Sequence, residues 1–331
     1  MTVNRQIILD SRPTSAAEAR NFKLIETPAP TPGPGQILVR HLYLSLDPYM
    51  RGRMNDAKSY AKPQELGVVM GGGTVGEVVA SNSDRFKPGD KVVGQGGWQN
   101  YSLSNGDDIR VIDASRIPIQ AYLGAVGMPG VTAWYGLNKI IAPKKGETIV
   151  VTAATGAVGA VVGQLAKLAG ATTVGVAGGP EKCAYARDEL GYDICVDHKS
   201  PTFAADLTAA LSKGVDGLFE NVGGAPFEAT APSLNDFARI AICGVIASYD
   251  GAPPPRIDLV SLLRKRIRAE GFIVSDHLAL WPTALAELAG LVASGRLRYR
   301  ETIAEGLENA PDAFLGMLKG RNFGKQLVKL A

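Results

Sequence analysis

The chain has 331 residues, enough for two modest domains at the usual size of about 100–200 residues each. Its 46% apolar and 20% charged residues suit a soluble globular protein with a sizeable core. A net charge of +3 with scattered basic residues speaks against a nucleic-acid surface, and no apolar run reaches the roughly 18 residues that would span a bilayer.

The first residues, MTVNRQIILDSRP, lack the apolar stretch and small-residue cleavage site of a secretory signal, so the cytoplasm is the expected compartment. Cys183, Cys195 and Cys243 lie far apart in sequence and form no CxxC pair. That argues against a disulfide framework and a structural zinc site.

In chain order, the first 125 or so residues read as β-rich. QILVRHLYLSL, GTVGEVVAS and DKVVGQGGWQNYSL carry alternating or β-branched apolar residues, separated by the turn clusters TPGPG, GGG and FKPGD. From about residue 146 short apolar strands alternate with helical stretches. The strands are expected at 148–154, 172–178, 193–198, 217–223, 239–244 and 268–274. Val158, Val161, Val162, Leu165 and Leu168 recur at helical spacing after the first of them. Six strands separated by helices predict a doubly wound parallel sheet covered on both faces, giving an α/β protein with a β-rich domain beside it. The tail reads as strand, helix and last strand (RETIAEGLENAPDAFLGMLKG, then NFGKQLVKL), expected to pack against the N-terminal domain.

A dinucleotide site is expected where the parallel sheet begins. TIVVTAATGAVGAVVGQLAKLAG is strand, tight turn and helix, with Gly156 and Gly159 at the turn and Ala154 in place of the first fingerprint glycine. Small residues let the backbone approach a pyrophosphate, and the helix N-terminus offers N–H groups and a positive dipole end. About 20 residues further on, an NAD enzyme offers a carboxylate to the ribose 2′-hydroxyl. Here Gly178-Gly179-Pro180-Glu181-Lys182 follows the strand. No carboxylate stands at the strand tip, Glu181 is expected to face solvent, and Lys182 can neutralise a 2′-phosphate. The reading favours NADP over NAD.

With these segments in view, the chain resembles the prostaglandin reductase and plant double-bond reductase branch of the zinc-independent medium-chain dehydrogenase/reductases, which also holds bacterial curcumin-reductase-like enzymes. The likeness runs through LSLDPYMRGRM (44–54), VGMPGVTAWYGL (126–137), AATGAVGAVVGQLAKLAG (153–170), FENVGG (219–224), RIAICGVIASY (239–249) and FLGMLKGRNFGK (314–325). It implies a GroES-like catalytic domain over residues 1–125, completed by 300–331, and a Rossmann NADP-binding domain over 126–299. It also implies NADPH contacts from Thr155, Gly156, Ala157, Val158 and Gly159 in the turn, from Gly179 and Lys182, and from Asn221, Cys243, Gly244, Val245, Tyr249 and Asn322. His198 stands where prostaglandin reductases place a tyrosine beside the adenosine phosphate, and would hydrogen-bond or pair with the 2′-phosphate. Zinc-dependent relatives carry a Cys and a His where this chain has Ser45-Leu46-Asp47 and Gly71–Gly73, so no catalytic metal is expected. A homodimer paired through the Rossmann domain is the quaternary state the resemblance suggests.

The activity it implies is NADPH-dependent reduction of the carbon–carbon double bond of an apolar α,β-unsaturated aldehyde or ketone. Hydride reaches the β-carbon, and charge collects on the carbonyl oxygen as an enolate. The protein must orient the alkene and offer that oxygen a donor. Tyr249 and Tyr49 are the candidate donors, being neutral hydroxyls at pH 7; a ribose hydroxyl of the cofactor is the alternative, and solvent can protonate the α-carbon. Asp47 and Arg51 flank Tyr49 and are expected to pair with each other. Two rivals stay open: quinone reduction by the same hydride logic, and a non-catalytic NADPH-binding protein.

Overall fold

A computed structural model describes residues 2–331. The chain divides into two compact units, Met1–Gly124 together with Glu301–Ala331, and Ala125–Arg300.

The first unit opens with the antiparallel pair β1 (Val3–Leu9) and β2 (Phe22–Pro28). There follow β3 (Ile37–Ser45), the short helix α1 (Tyr49–Arg53), β4 (Thr74–Ser81), β5 (Lys91–Gly94), β6 (Tyr101–Ser104) and β7 (Ile109–Val111).

The second unit begins with α2 (Met128–Tyr135) and then alternates strand and helix: β8 (Thr148–Thr152), α3 (Gly159–Leu168), β9 (Thr172–Ala177), α4 (Pro180–Asp188), β10 (Ile194–Asp197), α5 (Phe203–Ala210), β11 (Val215–Glu220), α6 (Gly224–Thr230), β12 (Leu234–Ile242), α7 (Leu259–Lys265), β13 (Arg268–Gly271) and α8 (Trp281–Ala293). The chain ends in the first unit with β14 (Glu301–Glu305), α9 (Ala310–Leu318) and β15 (Lys325–Lys329). β15 runs antiparallel to β3, so the tail completes a seven-stranded sheet of order β14-β15-β3-β4-β5-β7, with β6 also paired to β3. Its core gathers Leu44, Met50, Trp98 and Phe314, with Trp98 stacked on Phe22 at 5.5 Å and edge-on to Phe314 at 5.6 Å.

All six expected strands of the second unit are present and parallel, in the order β10-β9-β8-β11-β12-β13. β8 is buried along its whole length, as a strand covered on both faces must be, and this accounts for the unbroken TIVV run. α3 buries Val161, Val162 and Leu165 as the spacing predicts, but Leu168 is exposed at its last position because the helix stops there and the chain turns at Gly170. The strand order reverses between β8 and β11. In open α/β sheets the crevice for ligands lies at that reversal, outside the carboxyl ends of the strands. Among the described residues no helix is long and apolar enough to cross a membrane.

Candidate active site

The turn after β8 is built by close approach of backbone to backbone. Ala153 takes a left-handed conformation (φ 49°), one residue before the position aligned with the first fingerprint glycine. Gly156 N–H donates to Ala153 O at 2.9 Å, and a Cβ on Gly159 would lie 2.3 Å from the same oxygen. Gly159 therefore has no room for a side chain. α3 starts without a side-chain cap, so no hydroxyl or carboxylate of the chain competes for its N-terminus. Tyr192 was not foreseen as part of this construction. Its buried hydroxyl donates to Gly159 O at 2.7 Å, and its ring fills the space left by Gly163, where a Cβ would meet it at 2.1 Å.

At the ends of β9 and β10 the structure brings three basic groups together. Gly179 (φ 100°) precedes α4, and its N–H donates to Asp197 at 2.7 Å; the same carboxylate oxygen accepts from Lys199 N–H at 2.9 Å. A Cβ on Gly178 would lie 2.8 Å from His198 Nε2 and 3.1 Å from Lys199 Cε, so both side chains reach the backbone of the strand tip. The Lys182 ammonium is lowered below its usual range by burial and then by the neighbouring Lys199 charge, with Glu181 opposing. His198 is lowered by desolvation first, with Asp197 opposing and Lys199 and Lys182 adding to the fall. Lys182 and His198 were expected here; Lys199 was missed, although an HK dipeptide directly after a strand carries the signal. Glu181 is exposed at the helix start, as expected.

Asn221 sits at the end of β11. Its amide donates to Thr152 O at 2.7 Å and its backbone N–H to the Thr152 hydroxyl at 2.8 Å. Cys243, Gly244 and Val245 follow β12 and line a cavity of about 380 Å³ together with Phe272, Ile273 and His277 after β13. The sequence reads 272–274 only as the end of the strand expected at 268–274, and the part of 272–277 in the cavity wall goes unrecognised because it depends on sheet order rather than on spacing. The Cys243 thiol is pushed up to about 12 by burial and then by Glu220, so it stays protonated. Tyr249 ends the short turn Ile246–Ser248, and a Cβ on Gly244 would lie 3.4 Å from its hydroxyl. Cys183 in α4 and Cys195 in β10 are free thiols close enough for each to shift the other's titration.

In the first unit, Tyr49 opens α1 and packs against the apolar core. Burial raises its hydroxyl pKa well above the usual tyrosine value, and the Asp47 charge adds to this, so it remains a donor. Asp47 does not pair with Arg51. It accepts from Lys325 Nζ at 2.7 Å and from the Ser45 hydroxyl, while Arg51 donates to Asn55 at 2.8 Å and to the Ser15 carbonyl. β15 places Lys325 beside Asp47, a neighbour 278 positions away in sequence that local reading could not supply. Asn322 lies in the turn before β15, its amide donating to Gly324 O at 2.7 Å. Among the described residues no three His, Cys, Asp or Glu side chains cluster as metal ligands would.

Two family models match the chain: an N-terminal domain of oxidoreductases over residues 5–112, and a zinc-binding dehydrogenase domain over residues 157–290. The chain is 49% identical to the NADPH-dependent curcumin reductase of Escherichia coli, over 99% of this chain and 97% of that one. It is 38% identical to a 2-alkenal reductase (NADP(+)-dependent) of Nicotiana tabacum, over 99% and 98%. The crystal structure of CurA from Vibrio vulnificus in complex with NADPH superposes with a TM-score of 0.95 at 47% identity, covering 99% of both chains. The chain belongs to the medium-chain dehydrogenase/reductases, in the zinc-independent branch of the curcumin, 2-alkenal and prostaglandin reductases.

Proposed function

We propose that this chain is an NADPH-dependent oxidoreductase that reduces the carbon–carbon double bond of α,β-unsaturated aldehydes and ketones. The observation that carries the cofactor reading is the meeting of Lys182, His198 and Lys199 at the tip of β9, where an NAD enzyme would present a carboxylate. Lys182 and Lys199 repel each other, His198 is held largely neutral beside them, and Asp197 is engaged by the Gly179 and Lys199 N–H groups. The two lysines therefore gain most from a ligand with close to two negative charges, which a 2′-phosphate carries near neutral pH. The 153–159 turn and the uncapped start of α3 suit a pyrophosphate. Thr155, Gly156, Ala157, Val158 and Gly159 would hold that part, and Gly179, Lys182, His198 and Lys199 the adenosine end. Asn221, Cys243, Gly244, Val245, Tyr249 and Asn322 would complete the binding set.

When bound, NADPH supplies the hydride. The chain's own task is to fix the acceptor and stabilise the charge that develops on its carbonyl oxygen. Tyr249 and Tyr49 are the proposed donors to that oxygen, each keeping its proton. The protonated Cys243 thiol offers neither a nucleophile nor a metal ligand in this state. Curcumin and 2-alkenals, the substrates in the relatives' names, are both conjugated carbonyl compounds and support the same acceptor class.

NADPH oxidation should be followed against a panel of enals, enones, quinones and simple aldehydes. Turnover concentrated on enals and enones is expected; turnover on quinones alone, or on nothing, would overturn the reading. Tyr249→Phe should lower kcat on enones about three- to tenfold, and an unchanged kcat would leave the enolate to another donor.

We also propose a homodimer. α7, packed on β12, buries none of its residues, and its Leu259 and Leu263 are 72% and 78% exposed; β13, paired to β12, is one of the two edge strands of the parallel sheet. An unpaired edge strand, with an apolar helix face over the strand it pairs with, fits a second copy of the same edge. Light scattering should give twice the chain mass, and Leu263→Glu should halve it.

A further inference from the structure

We propose that Glu220 is a positioning residue for NADPH, acting through one carboxylate oxygen to hold the 221–224 turn and the segment leading to Tyr249. The inference rests on the cofactor reading above and adds to it a residue that touches neither hydride nor acceptor.

Glu220 and Thr152 end β11 and β8, the two neighbouring strands between which the sheet order reverses. Whatever binds at that crevice meets the chain leaving these two strands first. The turn leaving β11 is awkward: Gly223 and Gly224 both have positive φ (72° and 54°), and Val222 and Gly223 direct their N–H groups back toward the strand end. Glu220, only 2% exposed, collects them. Its Oε1 accepts from Val222 N–H at 2.6 Å, from Gly223 N–H at 2.7 Å and from the Thr152 hydroxyl at 2.8 Å. The Thr152 hydroxyl in turn accepts from Asn221 N–H, and Thr152 O accepts from the Asn221 amide.

The same short stretch anchors the next strand's exit. Glu220 O accepts from Cys243 N–H at 2.9 Å, Asn221 O from Ile246 N–H at 3.3 Å and Val222 O from Ala247 N–H at 3.0 Å. Tyr249 N–H then donates to Ile246 O at 3.2 Å. One buried oxygen thus fixes the turn, and the turn fixes the backbone that carries Cys243 to Tyr249.

The two oxygens of the carboxylate are unequal. Oε2 is buried and, among the described residues, has no hydrogen-bond partner. All the anchoring therefore passes through Oε1, which a glutamine also provides. This separates positioning from direct action. Under the proposal Glu220→Gln keeps the turn, whereas Glu220→Ala releases it; if the charge or Oε2 itself engages the ligand, Gln fails as badly as Ala.

The test is fluorescence titration of the purified full-length variants with NADPH and, separately, with NADH. For Glu220→Ala, Kd should rise tenfold or more for both nucleotides by the same factor, since the turn is remote in the sheet from the Lys182 cluster. For Glu220→Gln both should stay within threefold of the parent protein. Equal affinity in Glu220→Ala, a loss in Gln matching that in Ala, or a loss confined to NADPH would each overturn the proposal. Should Glu220→Ala fail to fold, Thr152→Val keeps the carboxylate and removes one bridge; a two- to fivefold rise in Kd supports the role and no change overturns it. Failure of the parent protein to bind NADPH would sink the cofactor reading instead, a result distinct from any of these.

Discussion

The two units handle buried polarity in opposite ways. In the parallel unit the middles of the strands are apolar: Ile149, Val150, Val151 and Leu218 are fully buried. Buried Thr148 and Thr173 lie at the amino ends of their strands, and Glu220, Asn221 and Asp197 sit at or just beyond the carboxyl ends, each hydrogen-bonded to backbone. In the antiparallel unit polarity runs through the interior itself. His41 is buried in the middle of β3, Thr74 and Gln326 are buried where β4 and β15 begin, and Lys325, at 3% exposure, meets Asp47 inside the fold. A sheet covered on both faces has no place for charge except its ends, so the apolar strand interiors that carry stability are separate from most of the groups proposed to hold the cofactor. The first unit makes no such separation, and an ion pair there supports the very turn that carries Tyr49.

This contrast orders the expected effects of substitution. Lys325→Met strands Asp47 in the interior, and losing one partner of a buried pair costs about 3–5 kcal/mol. Thermal denaturation should show Tm lower by roughly 10 °C for a chain of this size. A Tm within two or so degrees of the parent would break the contrast at its strongest point.

At the end of β9 the expectation reverses. Lys182→Ala should leave Tm almost unmoved and raise KM for NADPH about 10- to 100-fold, the worth of a hydrogen bond to a charged group, with KM for NADH unchanged. Lys199→Ala should act in the same direction by a smaller factor. Equal effects on the two nucleotides would remove the 2′-phosphate from this cluster.

The same contrast explains what could be read from the sequence. The second unit was legible because its chemistry follows chain order: strand, small-residue turn, helix, and then the next strand tip, so Gly156, Gly159, Lys182 and Asn221 fall at spacings fixed by the fold. What escaped there depended on which strands are neighbours. Lys199 joins Lys182 only because β9 and β10 pair, and the part of 272–277 in the cavity wall only because β13 lies beside β12. In the first unit β3 to β6 were visible as alternating runs, yet the partner of Asp47 was misjudged. Arg51 is four residues away and looked sufficient, but α1 turns it toward Asn55 and Ser15 while β15 brings in Lys325. Local spacing cannot report a contact made by a strand that returns from the far end of the chain.

The smallest effect tests the interior of the first unit by pH rather than by truncation. Glu301 begins β14 opposite Lys325 in the β14–β15 register, and its Oε1 is buried without a partner among the described residues. Burial pushes its carboxyl up to about 7, opposed by a hydrogen bond from Gln120 and by the Lys325 charge. The unfolded chain releases this proton near the ordinary value of 4.5, so between about 4.5 and 7 the folded state holds a proton that the unfolded state has lost. Stability therefore falls as pH rises through that window and is level above it. His41 pulls the other way: burial lowers it to about 3, so its contribution is lost as pH falls below 6.5. Glu301→Gln leaves His41 untouched, and the difference between variant and parent isolates the carboxyl. Denaturation at pH 5 and pH 8 should show the variant gaining on the parent by on the order of 1–2 kcal/mol at the higher pH, a figure discounted for the partial exposure of the side chain. A constant difference across the two pH values would mean that Lys325 keeps Glu301 charged throughout, making the interior of this unit an acid–lysine–acid triad in place of a single ion pair beside a neutral acid.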